Sequence, residues 1–399
     1  MQTFRIIQNG DDYLLPVYNR QKIVLMRGDG SYIYDSERMV YLDFFSGIAV
    51  NGLGQAFPEV VNAIAETARK LGHVSNYYYN EPNVRLAKLL CEISFAQKVF
   101  FCNSGAEAIE ASLKLARKYF FRLGQDRSEI ISFNNSFHGR TYGALSVTGQ
   151  PKYQEGFGSL LSGIKFATFN DIESVKKLMN DKTAAVLIET IQCEGGIHPA
   201  DPKFLKELRD ITRENGVLLI VDEVQTGLGR TGKMWAYEHY EIEPDIMTSA
   251  KALGAGLPMG AMLVTNQVAQ GFKPGDHAST FGGNPIVSAA AVANIETIIL
   301  KDVVANAGKQ GDYLKLCLEQ LIKDFPELFT EVRGMGLVQG LQMTRDAGPL
   351  VLKCAREGLL IGSAHETVLR FLPPLIITNE DIDLAMEKLR KAIAAELQG

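Results

Sequence analysis

PKFLKELRDITRENGVLLIVDE, residues 202–223, reads as a helix, a stop and a buried strand. Pro202 suits a first helical turn and Gly216 supplies the stop. From Val217 to Val221 the chain is continuously apolar, as a strand covered on both faces must be. AAVLIET (residues 184–190) has the same character. Outward from these two, strands and helices alternate. Further strands are expected at KVFFC (98–102), EIISFNN (129–135), IKFATF (164–169), PDIMTSA (244–250) and GAMLVT (260–265). Helices are expected near residues 83–91, 106–123 and 172–179, and a glycine-rich stretch runs from Gly139 to Gly163. Such alternation predicts the α/β class, with a mostly parallel sheet between helices.

The two ends differ. Residues 1 to about 50 read as β-rich, with SYIYDSERMVYLDFFSG (31–47) alternating about a turn at Ser36 to Arg38. FPEVVNAIAETARKLG (57–72) switches to helical spacing at Val60, Ile64 and Leu71. After Asn284 come an alanine-rich helix from Pro285 to about Leu300, a helix near Gly311 to Lys323 and an α+β tail. The expected division is residues 51–287 as a large domain. Residues 1–50 and 288–399 would form a smaller α+β domain drawn from both termini.

The 399 residues exceed one ordinary core. A net charge of −5 argues against a nucleic-acid partner, which needs a basic surface. The N-terminus carries charges where a signal peptide needs an apolar run, and no stretch has the length of a membrane span. Five scattered cysteines read as reduced thiols in a cytoplasmic protein, and the six histidines have no metal-ligand spacing, so no metal is expected.

The chemistry gathers at strand ends. Asp222 closes an apolar strand, and Lys251 follows another in SAKALGAGLPMG. Ligands bind open α/β sheets at such ends. Desolvation can convert a lysine there into a neutral nucleophile. Together they suggest a Schiff-base cofactor enzyme, the acid holding a pyridinium nitrogen and the lysine an aldehyde. NSGAEA (103–108) offers backbone N–H groups to an anion, or simply a helix cap built on Ser104 and Glu107. FHGRT (137–141) offers a stacking ring at Phe137 and a carboxylate-binding Arg140, or a core ring and a surface cation. His138 reads as a structural hydrogen-bonding residue. Glu189 and Glu194 offer paired acids, or partners for solvent or an arginine such as Arg370. STFGGNP (279–285) offers hydroxyls to a helix cap or a phosphate.

In this combination the chain resembles the class III aminotransferases of pyridoxal-phosphate fold type I, near their acetylornithine and ornithine branch. FSGIAVNGLGQAFPEVVNAI, LGHVSNYYY, NSGAEA, FHGRT, IETIQCEGG, VDEVQTGLGRTG, SAKALGAGLPMGA, STFGGNP and VLRFLPPLIIT carry the resemblance. It implies a seven-stranded, mostly parallel sheet and a homodimer with shared sites. It implies pyridoxal 5′-phosphate bound covalently by Lys251, with Asp222 at the ring nitrogen and Gln225 at the phenolic oxygen. Phe137 and Val224 would flank the ring. Gly105 and Ala106 would hold the phosphate, together with Thr280 of a second copy, and Ser279 would lie beside the substrate. Arg140 would hold a distal substrate carboxylate, and Arg370 the α-carboxylate of glutamate or 2-oxoglutarate. Glu194 would neutralise Arg370 when an ω-amino donor such as an acylated ornithine enters. Other ω-amino donors, an aminomutase or a non-catalytic relative are the alternatives. Thr190, Cys193 and Gln55 depart from the family pattern, the first two beside Glu194. Cys193 is expected to be an inert thiol.

Overall fold

The apolar strands lie side by side in a computed structural model that describes residues 2–397. The sheet order is Lys98–Cys102, Gly260–Val264, Ile246–Ser249, Leu218–Asp222, Thr183–Glu189, Glu129–Phe133 and Ile164–Ala167. Gly260–Val264 is antiparallel to both neighbours, and the other pairs are parallel. Every residue of Thr183–Glu189 and Leu218–Asp222 is buried, as their unbroken apolar runs require.

Strand alternation sends neighbouring residues to opposite faces. Val186, Ile188, Leu219 and Val221 pack in one core with Phe204 and Leu208 of helix Pro202–Glu214. Ala185, Leu187, Leu218 and Ile220 pack in a second core with Ile109, Leu113 and Ala116 of helix Gly105–Arg122. Asp222 is in register with Glu189 on one side and Thr248 on the other. Three strands therefore end together, and their last polar residues form one rim.

Strand Val40–Asp43 joins the two ends of the chain. It pairs antiparallel with Tyr32–Asp35 and parallel with Leu359–Leu360. Asp35 Oδ1 holds the hairpin turn by accepting from Glu37 N at 2.8 Å and Met39 N at 2.9 Å. A four-stranded antiparallel sheet follows in the C-terminal third: Phe329–Met335, Val338–Met343, Val368–Phe371 and Gly362–Ala364.

Two expectations are corrected. Residues Gln2–Tyr13 are helical, not β-rich, and none of them is buried. Phe4 and Ile7 stand three apart, a helical spacing, and with no buried position to impose a strand pattern local preference decides. The helix expected near Gly311 begins at Val303 and runs to Asp324. Glycine is a helix-stop signal, yet Gly311 lies inside the helix because the backbone of Gly336 crosses it. A Cβ there would lie 2.3 Å from Gly336 C. Among the described residues no helix is long and apolar enough to cross a membrane.

Candidate active site

A cavity of about 400 Å³ opens at the rim where the strands end, lined by Asp222, Lys251, Glu189, Glu194, Phe137, His138, Val224, Gln225 and the start of helix Gly105–Arg122. Asp222 is buried and accepts three hydrogen bonds. Thr248 Oγ1 donates to Oδ1 at 2.9 Å, Val224 N donates to Oδ1 at 3.0 Å, and His138 Nδ1 lies 2.7 Å from Oδ2.

Lys251 opens a 3₁₀ turn just after strand Ile246–Ser249. Its φ of 46° is left-handed, a conformation that costs an L-residue about 1–2 kcal/mol. Loss of solvation pushes its ammonium below the usual lysine range, more than the Glu194 carboxylate holds it up. The lysine is thereby biased toward a neutral amine.

The start of helix Gly105–Arg122 combines a cap with an open anion site. Ser104 Oγ accepts from Glu107 N at 3.2 Å, and Glu107 Oε2 accepts from Asn103 N at 2.5 Å. This leaves the N–H groups of Gly105 and Ala106 in the first turn, where no intrahelical acceptor exists. Both residues line the cavity. A Cβ on Gly105 would lie 2.9 Å from Val224 Cγ1, so only glycine lets Val224 approach the helix end.

Glu194 and Arg370 form an ion pair. Burial pushes the Glu194 carboxyl up, but the charges of Arg370 and Lys251 outweigh it and hold the group below its ordinary range. Gln225 bridges the pair: its Nε2 donates to Glu194 Oε1 at 3.4 Å and its Oε1 accepts from Arg370 Nη1 at 3.4 Å.

Four expected residues stand outside the cavity wall: Arg370, which pairs with Glu194 of that wall, and three others. Arg140 is exposed, its guanidinium 3.9 Å from the centre of the Tyr153 ring. Ser279 Oγ accepts from Gly282 N at 3.0 Å and from Asn103 Nδ2 at 3.3 Å. Thr280 is exposed on the same loop.

Sequence reasoning missed other groups. It gave His138 no link to Asp222, because 84 positions separate them. Glu189 has no arginine partner among the described residues. It is buried, accepts from Phe137 N at 3.0 Å, and is pushed well above the usual carboxyl range by burial and by the Asp222 charge. Glu223 was not singled out. Strand alternation turns it away from Asp222, toward Thr226 Oγ1 (2.6 Å) and Tyr237 N (2.8 Å), and burial pushes its carboxyl up to about 7. Cys193 is fully buried and its thiol is pushed up, first by burial. Thr190 is buried beside it in sequence, and Gln55 pairs through its backbone with Gly30, outside this cavity.

Known proteins resemble the chain over nearly its whole length. The family model for class III aminotransferases matches residues 16–393. An acetylornithine aminotransferase of Caldanaerobacter subterraneus subsp. tengcongensis is 50% identical over 94% of this chain and 96% of that protein. One from Methanocaldococcus jannaschii is 48% identical over 94% of this chain and 95% of that protein. The crystal structure of Toxoplasma gondii ornithine aminotransferase superposes with a TM-score of 0.95 at 30% identity, covering 100% of this chain and 96% of its own. With a family model, curated relatives and a solved structure all matching over nearly the whole length, the chain belongs to the class III aminotransferase family.

Proposed function

We propose that this enzyme moves the δ-amino group of N2-acetyl-L-ornithine to 2-oxoglutarate, giving N-acetyl-L-glutamate 5-semialdehyde and L-glutamate, in cytoplasmic arginine biosynthesis. The name shared by the relatives at 47–50% identity supports the donor. The observation that carries the reading is the neutralised Arg370 beside a desolvated Lys251. The donor brings an amine with its carboxylate far away, whereas glutamate brings an amine with a carboxylate adjacent. A glutamate that can cancel or release the arginine lets one site serve both.

The residues fit pyridoxal 5′-phosphate. The glycine start of a long helix suits the phosphate, and a buried acceptor, Asp222, suits a protonated ring nitrogen. When bound, the cofactor supplies an electron sink for the carbon that loses its proton. In this reading Lys251 would hold the cofactor through its aldehyde, and its desolvated amine would serve as the base nearest the substrate carbon. Phe137 and Val224 would flank the ring, and Gln225, here bonded to the ion pair, would hydrogen-bond the phenolic oxygen. Gly105 and Ala106 hold the phosphate, Arg140 the distal carboxylate of the donor, and Arg370 the α-carboxylate of glutamate.

Thr280 and Ser279 serve the site of a second copy in a homodimer. Tyr77 (92% exposed), Tyr79 (96%) and Phe281 support such a face, because large exposed aromatics mark association surfaces. Asn76 Nδ2 ties their segments together by donating to Ser279 O at 2.9 Å.

The test is kcat/KM for N2-acetylornithine, N2-succinylornithine, ornithine and 4-aminobutyrate, with and without 2-oxoglutarate. N2-acetylornithine is expected to lead. Preference for free ornithine overturns the donor, and turnover without a keto acid points to an aminomutase.

A further inference from the structure

We propose that Glu110 is a positioning residue for Arg140, fixing the distance between that guanidinium and the helix start that lines the cavity. The inference rests on the reading of Arg140 as holder of a substrate carboxylate.

Glu110 lies about one and a half turns into helix Gly105–Arg122. One oxygen, Oε1, accepts from Thr141 Oγ1 at 2.6 Å, Gly143 N at 2.8 Å and Ala144 N at 3.3 Å. All three donors follow Arg140 directly in the chain. Thr141 is the N-cap of the short helix Tyr142–Ser146, where a threonine hydroxyl ordinarily accepts from a first-turn N–H. Here its side chain makes no such bond, and its hydroxyl donates to Glu110 instead. The cap of this helix is therefore supplied by another helix. A carboxylate suits that place, since it meets the positive end of the helix.

The chain before Arg140 is held by the same helix. Gly139 has φ of 130°, and a Cβ there would lie 2.7 Å from Ala106 Cβ. A Cβ on Gly143 would lie 2.2 Å from Glu110 Oε2. Two glycines thus bring the backbone down onto helix Gly105–Arg122 on either side of Arg140. One contact is at Ala106, on the cavity wall, and the other is at Glu110, a turn further along. Arg140 is bracketed between them. Its guanidinium stacks on Tyr153 (3.9 Å) and more loosely on Phe137 (5.5 Å). Glu110 spends its charge on backbone and hydroxyl donors, which leaves the guanidinium to a ligand.

Loss of Glu110 frees the loop without altering any residue of the cavity wall. Small misplacements of a binding group cost binding steeply, so Glu110→Ala in the holoenzyme is expected to raise KM for N2-acetylornithine about tenfold with kcat nearly unchanged. Glu110→Gln should restore KM, because its amide oxygen can accept from the same three donors. Thr141→Val, which deletes one donor, should give a smaller rise and serves if the alanine variant does not fold. Arg140→Ala is the reference: Arg140→Ala combined with Glu110→Ala should be no worse than Arg140→Ala alone. A KM unchanged in Glu110→Ala but raised in Arg140→Ala overturns the role of Glu110. So does a fall in kcat that Glu110→Gln fails to rescue. A KM unchanged in Arg140→Ala overturns the reading of Arg140 itself.

Discussion

His138 Nδ1 lies 2.7 Å from Asp222 Oδ2, and with Thr248 and Val224 on the other oxygen the carboxylate is fixed in one orientation. His138 Nε2 is buried and has no protein partner among the described residues.

His138→Ala removes the partner of Asp222 Oδ2 and opens space beside it. Leaving a buried acceptor unpaired costs about 1–3 kcal/mol. The expected result is a fall of roughly tenfold to a hundredfold in kcat and faster loss of cofactor on dialysis, followed by absorbance. Unchanged cofactor retention would show that the contact does not govern how Asp222 meets the ring.

On the proposed role of Lys251 as point of attachment and nearby base, Lys251→Ala should lose turnover on the order of a thousandfold or more. The separate check is covalent. Borohydride reduction followed by intact mass should add one cofactor to the parent protein and none to the variant. Retention of the added mass would assign attachment to another lysine.

Much of this site was legible because its chemistry sits at chain-local signals. Lys251, Asp222 and Gly105 each follow an apolar strand, and strand ends in a parallel sheet converge whatever the loops do. The capping role of Ser104 was readable from the glutamate three residues on. Partnerships across the sheet were not. His138 meets Asp222, and Glu110 meets Thr141, only because two strands and a helix are adjacent in space. The N-terminal helix failed for the opposite reason: none of residues 2–13 is buried, so no core pattern marks them. Gly311 misled because a close backbone crossing, invisible in one sequence, requires glycine inside a helix.

Glu223 gives stability a pH dependence of definite sign. Its folded-state value of about 7 lies above the ordinary 4.5, so the folded protein keeps a proton that the unfolded chain has released between those values. Stability should therefore fall as pH rises from about 4.5 to about 7, and this contribution is level above. At about 1.4 kcal/mol per pH unit the full effect approaches roughly 3 kcal/mol. Glu223→Gln can accept from Tyr237 N and donate to Thr226 Oγ1, so it keeps both contacts without a titrating group. Thermal unfolding at pH 5 and pH 8 should show a shallower decline for the variant. An equal decline in both proteins would place the titration elsewhere.

Glu194→Gln separates the two substrates. Arg370 is 3% exposed, and Glu194 is its only carboxylate partner among the described residues. The glutamine keeps the shape and the bond to Gln225 but leaves a buried cation uncompensated, which costs about 3–5 kcal/mol when a buried pair is broken. An incoming α-carboxylate relieves that charge, so the half-reaction with glutamate should hold or gain in kcat/KM. The donor, whose carboxylate sits far from its reacting amine, brings no anion to the same place. Its half-reaction should fall tenfold or more, a difference of about 1.4 kcal/mol or greater between the two. Single-turnover rates of each half-reaction, measured separately, make the comparison. An equal loss in both would mean that the Glu194–Arg370 pair only braces the strands that carry it, and the alternation between substrates would have to be sought at Arg140.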